Sequence, residues 1–142
     1  MKLPDTNVLV YAANLDSPQR GEAIRWLGEA FEGAGGVGLS WVALLGFIRL
    51  VTRTGIFARP LQLEQALQVA DSWLTHPAAR VLHPGANHAA LLGRLLVGAG
   101  MAGNLTNDVH LAALAMENGA ALGSFDRDFG RFAGLRFELL GT

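Results

Sequence analysis

A chain of 142 residues, 51% hydrophobic and 16% charged, is too apolar to be disordered and long enough to bury roughly two thirds of its unfolded surface. A formal net charge of −1 gives no global basic field, so any nucleic acid must be held by a local patch. The absence of cysteine excludes disulfides and zinc–thiolate centres. One domain over residues 1–142 is expected. With no basic and apolar leader and no apolar run long enough to span a bilayer, the expectation is a soluble cytoplasmic protein with no membrane partner. The apolar excess points to a surface that meets another protein. All basic residues but Lys2 are arginines, whose planar fork suits phosphate or carboxylate.

In chain order, MKLP predicts a short strand, and Asp5 is placed to cap the DTNVLVYAAN segment after it. Ser17, with Pro18 at the first helical position, opens a helix that carries Ala23, Ile24, Leu27, Ala30 and Phe31 at helical spacing and ends in glycines. VGL is a strand. Ser40 caps WVALLGFIRLVTRTG, where Leu44, Phe47, Ile48 and Val51 keep the helical period around Gly46. LQLEQALQVADSWLTH sets Leu63, Ala66, Leu67, Ala70, Trp73 and Leu74 on one stripe, stopped by His76 and Pro77. ARVLHPG is strand-like. HAALLGRLLVGAG is helical with Leu91, Leu92, Leu95 and Leu96 inward, and NLTNDVHLAALAMENG is a helix capped by Thr106 or Asn107 and stopped by Asn118 and Gly119. AALGSF and LRFELL close the chain as strands. Short apolar strands alternating with helices imply an α/β sandwich around a mostly parallel sheet of four or five strands.

In such a sheet, ligands bind beyond the carboxyl ends of the strands, where the chain connections diverge. Asp5 follows the first strand, Asp126 follows AALGSF, and Asp108 lies in the first turn of its helix. Each alone also fits a structural role, as a cap, a first-turn charge or a turn residue. Converging with no lysine nearby, they would repel one another unless a hard divalent ion, Mg²⁺ or Mn²⁺, lay between them. Thr6, Asn7, Thr106, Asn107 and Ser124 are neighbouring oxygen donors able to orient the carboxylates or metal-bound water. Such an ion serves phosphate chemistry, so phosphodiester hydrolysis is the first reaction class to consider.

The segments PDTNVLVYA, SWVALLGFIRL, TNDVHLAALAMENGA and SFDRDFGRFAGLRF resemble the PIN domain, and within it the VapC-like toxins of bacterial toxin–antitoxin pairs, from about residue 2 to 139. The resemblance implies a PIN-like three-layer sandwich and a Mg²⁺- or Mn²⁺-dependent endoribonuclease. Carried over, Asp5, Asp108 and Asp126 match three of the four acids of the family's site, and Asp128 an acid that can join the metal set. The fourth, a glutamate on the helix after the second strand, falls on Gly46. Glycine offers no oxygen and costs a helix interior about 1 kcal/mol against alanine, so local structure gives no reason for it apart from close packing against a neighbour. The expectation is an impaired nuclease with an intact fold; the competing one is a catalytically inactive module that binds RNA or its antitoxin. The resemblance also implies a homodimer through the helices of the 40s and 60s, and a groove filled by an antitoxin's peptide tail.

Arg49, Arg53, Arg127 and Arg131 would supply the local patch for RNA phosphates. The histidines do not group: His110 is on a different helix face from Asp108, and His76, His83 and His88 are expected in loops or strand ends away from every acid. This disfavours metal-free histidine catalysis. Trp41, Phe47, Trp73, Phe125, Phe129 and Phe132 are expected in the core.

Overall fold

The computed structural model describes residues 1–55, 57–99 and 105–141. β1 (Lys2–Pro4) leads into α1 (Thr6–Ala13) and α2 (Arg20–Glu32). β2 (Val37–Leu39), α3 (Trp41–Val51), α4 (Leu63–Leu74) and β3 (Ala79–Val81) follow. The second half runs α5 (His88–Ala99), α6 (Thr106–Glu117), β4 (Ala121–Ser124), a 3₁₀ turn over Arg127–Arg131 and β5 (Arg136–Leu139). The strands form one sheet in the order β3-β2-β1-β4-β5. All four pairings among the described residues are parallel, with Leu3 opposite Leu122 and Gly38 opposite Arg80. The expected three-layer α/β sandwich is the observed one.

Burial explains the layers. One apolar cluster unites Val8, Leu9 and Val10 of α1 with Trp26 and Leu27 of α2, Leu44, Phe47 and Val51 of α3, and Ala66 and Ala70 of α4. The other joins Leu95 of α5, Val109 to Ala115 of α6, and Phe129 and Phe132 to Leu3 and Leu122 of the central strands. Strands of three or four residues suffice because both faces are covered. Gly123 in β4 permits one close approach, since a Cβ there would stand 2.2 Å from Trp26 Cζ2. The indole Nε1–H reaches across to donate to Glu138 Oε1 at 2.9 Å, and Glu138 also pairs with Lys2.

Several expectations shift in detail. α2 begins at Arg20 with Gln19 as its cap residue; Ser17 and Pro18 lie in a preceding turn in which Ser17 Oγ accepts from Gln19 N at 3.1 Å. Neither Thr106 nor Asn107 caps α6, whose cap position is Leu105 with no side-chain hydrogen bond. Ser40 does cap α3, accepting from Val42 N at 3.2 Å, and Gly119 ends α6 at φ +61°. The stripe of α4 divides: Ala66 and Ala70 are buried, while Leu63 and Leu67 are about half exposed. Trp41 is 47% exposed and so is not a core residue, because α3 begins at the surface and turns that position outward; Phe47, Phe129 and Phe132 are buried as expected. The glycine-bearing segment at 100–104 lies outside the described residues.

Candidate functional site

β1 and β4 are neighbours at the centre of the sheet, and the chain leaves them for opposite edges: toward β2 and β3 after β1, toward β5 after β4. Their carboxyl ends form the switch point where a parallel sheet opens a crevice. Asp5 and Asp126 are the residues that follow them, and both are fixed by caps. Asp5 is the N-cap of α1. Its Oδ1 accepts from Thr6 N at 2.7 Å and its Oδ2 from the Ser124 hydroxyl at 2.7 Å. Asp126 caps the 3₁₀ turn, accepting from Asp128 N at 2.9 Å.

Ser124, fully buried, joins the two acids. Its oxygen accepts from Asp126 N at 2.9 Å and from Asn7 Nδ2 at 3.2 Å while its proton goes to Asp5. Asn7 closes the circuit by accepting from Phe125 N at 3.2 Å. These hydrogen bonds join Asp5, Asn7, Ser124 and Asp126 in one network, so the carboxylates sit on a rigid base.

Asp108 enters from the first turn of α6. A cavity of about 470 Å³ lies between α1, α3 and the start of α6, lined on its polar side by Asp5, Thr6, Asn7, Gly46, Arg49, Asn107 and Asp108. Val10, Tyr11, Val42, Leu50 and Leu111 make its apolar wall. Burial raises Asp108, and the charges of Asp5, Asp126 and Asp128 raise it further against the opposing pull of Arg131, so that its carboxyl is pushed up to about 6. Asp5 is raised as well, first by burial and also by Asp126, although the hydrogen bonds from Ser124 and Thr6 work against this. Carboxylates from three separate elements therefore feel one another's charge. Among the described residues no three acidic or histidine side chains stand together as a ready-made ligand cage. The donor set fits the manner in which Mg²⁺ is usually held, by one or two carboxylates with water completing its octahedron.

A matching family profile settles the fold's kinship: that of the PIN domain matches residues 2–135. The chain belongs to the PIN-domain family. This PIN domain is 50% identical over 139 residues to Ribonuclease VapC37 of Mycobacterium tuberculosis, covering 97% of the chain and 96% of that protein. It is 37% identical over 137 residues to Ribonuclease VapC33 of the same organism, covering 96% of each. Its fold is similar to that of VapBC2 from Rickettsia felis, solved on a DNA fragment from its promoter, with a TM-score of 0.69, 22% identity and 97% of each chain covered. M. tuberculosis VapC20, a sarcin–ricin loop cleaving toxin, also gives a TM-score of 0.69, at 20% identity over 96% of this chain and 99% of that one.

The remaining residues fall unevenly in this PIN domain. Gly46 does line the acidic cavity, and the structure supplies a packing reason for a glycine there. A Cβ would stand 2.9 Å from Thr6 Cγ2 and 3.3 Å from Thr6 Oγ1, so α1 and α3 close on a position with no side chain. Of the four arginines, Arg49 lines the cavity. Arg131 pairs with Asp128, Nη2 to Oδ1 at 3.5 Å, and Arg53 and Arg127 are exposed outside the cavity. Thr106 opens α6 and is not among the lining residues.

His88 departs from expectation. It is the first residue of α5, buried, with Nδ1 against Glu117 Oε1 and Nε2 2.9 Å from His110 Nδ1. Glu117 Oε2 also accepts from Gly85 N at 2.8 Å. The group ties α5 to α6. Tyr11 and Val42 were not singled out as site residues; the signal for Tyr11 was its place one turn after Asn7 on the same face of α1.

Proposed function

We propose that this PIN domain is a cytoplasmic, metal-dependent endoribonuclease, the toxin of a toxin–antitoxin pair, with Asp5, Asp108 and Asp126 holding Mg²⁺ or Mn²⁺, one or two of them directly and the rest through its bound waters, and Asp128 as an additional ligand. The observation that carries this is the raised carboxyl of Asp108, pushed up to about 6 first by burial and then by the charges of Asp5, Asp126 and Asp128, a pressure that a divalent cation relieves. Its kinship to proteins named as ribonucleases, at 50% and 37% identity, supports the choice of RNA. When bound, the ion supplies Lewis acidity and lowers the pKa of a coordinated water. The chain's own part is to orient: Ser124 and Thr6 N–H fix both oxygens of Asp5, Asn7 steadies Ser124, and Arg49 at the cavity meets a phosphate oxygen.

With Gly46 in place of a fourth acid, the site is one carboxylate short, which lowers metal affinity and turnover. That same glycine favours the second reading, a module that keeps RNA or antitoxin binding without cleavage. Purified protein with Mn²⁺ or Mg²⁺ and cellular RNA separates the two. Cleavage leaving 5′-phosphates, stopped by EDTA and absent in Asp5→Ala, supports the nuclease; no metal-dependent cleavage leaves the binding module.

Two apolar surfaces suit the protein partners. A cavity of about 780 Å³ between the end of α1, α2 and α4 is lined by Leu27, Phe31, Leu61, Val69 and Trp73, with Arg20 at its side. Arg20 Nε is buried there with no hydrogen-bond partner among the described residues, so an antitoxin segment with an apolar face and a carboxylate fits it. The exposed Trp41, Leu45, Leu63 and Leu67 on α3 and α4 form the face for a second copy of the chain.

A further inference from the structure

We infer that the apolar half of the acidic cavity is a binding pocket for a single unpaired nucleobase, with Tyr11 as its recognition residue. The inference rests on the ribonuclease reading and names the form of RNA that reaches the carboxylates. A site that needed only a metal and a phosphate could be wholly polar, yet Val10, Tyr11, Val42, Leu50 and Leu111 line the same 470 Å³ space as Asp5 and Asp108. That volume falls within the range of sites that take a small ligand such as one nucleotide. A paired base buries its face in the helix stack, whereas an unstacked base offers a flat apolar face to such a wall.

Tyr11 is built for the task. Its ring is held edge-to-face against Phe125, 5.0 Å between centroids at 85°, so it is rigid before any ligand arrives. Phe125 is in turn anchored through its backbone N–H to Asn7, the residue that steadies the acids. The Tyr11 hydroxyl has no hydrogen-bond partner among the described residues, although the ring lines the cavity; it is free to read the polar edge of a base. Asn107 lines the same cavity and offers an amide for that edge. A further cavity of about 480 Å³ shares Val42, Gly46, Arg49 and Asn107 with the first. The strand therefore leaves the base pocket over Gly46, where no side chain blocks it, with Arg49 beside its phosphate.

The test measures binding apart from cleavage. In an Asp126→Asn background with Mg²⁺, fluorescence anisotropy compares a labelled single-stranded hexaribonucleotide with the same sequence in a blunt duplex. The single strand should bind at least tenfold more tightly than the duplex. Tyr11→Ala should weaken single-strand binding about tenfold or more, the scale of one lost stacking partner, and leave the duplex unchanged. Tyr11→Phe should keep most of the affinity and alter the ranking among A, C, G and U hexamers. Because Tyr11→Ala also removes packing, Val42→Phe serves as the second variant: it fills the pocket from α3 and should give the same selective loss with its Tm retained. Equal affinity for single strand and duplex, or single-strand affinity unmoved in both Tyr11→Ala and Val42→Phe, overturns the pocket while leaving the ribonuclease reading intact. Failure of the parent protein to bind RNA in either form overturns both.

Discussion

The contact between Gly46 and Thr6 makes a quantitative prediction. Replacing glycine by alanine inside a helix gains roughly 0.5–1 kcal/mol. Here the added Cβ meets Thr6 Cγ2 at 2.9 Å, and overpacking of this kind costs about 1–3 kcal/mol. Thr6 is only half-buried, which places the cost near the low end, so Gly46→Ala alone should change stability by close to zero. Thr6→Ser removes Cγ2 and leaves the hydroxyl oxygen at 3.3 Å. In that background Gly46→Ala should gain about 1 kcal/mol, or about 3 °C in Tm for a chain of this size. Urea unfolding of the parent, both single variants and the double variant, at one protein concentration, gives the coupling energy. Additivity to within about 0.3 kcal/mol, or the full gain from Gly46→Ala alone, would refute the idea that α1 and α3 interlock at this point. The result bears on activity too. If the glycine is a lost glutamate, Gly46→Glu with Thr6→Ser should cleave RNA faster than Thr6→Ser alone; if the glycine is there for the RNA path, cleavage should fall.

Three further outcomes follow from the geometry. Asp108 titrates near 6 in the metal-free fold and near 3.9 unfolded, so between about pH 4 and 6 the native state holds more protons. Stability should fall as pH rises through that window, and thermal melts at several pH values should show the fall abolished by Mg²⁺ and flattened in Asp108→Asn. Glu117→Ala leaves the buried His88 without its partner at Nδ1; the loss should be about 1–3 kcal/mol, read by denaturant unfolding. Leu67→Asp puts a charge on the exposed face of α4 and should convert a dimer to a monomer in sedimentation, with RNA binding by the monomer retained.

The fold was legible because its determinants are local and repeated. Ser40 before an apolar helical period, Asn118–Gly119 at a helix end, and short apolar strands between such helices leave few arrangements, and the parallel sheet is the one that covers both strand faces. The boundaries that slipped were those where several residues could cap. Ser17, Pro18 and Gln19 all suit a helix start, and the turn that Ser17 makes with Gln19 N pushes α2 to Arg20. At α6 the cap position fell to Leu105, which no capping preference would select.

The site was legible only in part, because its chemistry depends on approaches between distant segments. Asp5 and Asp126 could be placed from sequence, since an aspartate after a central parallel strand has one place to go. That Ser124 would serve both acids required β1 and β4 to be adjacent and in register, which brings Pro4 opposite Gly123. His88 was misplaced for the same reason: its partners are a glutamate at the far end of α6 and a histidine one helix away, and neither is near in sequence. Gly46 shows the limit most clearly. Helical propensity alone condemns a glycine at that position, and only the distance to Thr6 turns an unexplained defect into a close packing contact at the edge of the acidic cavity.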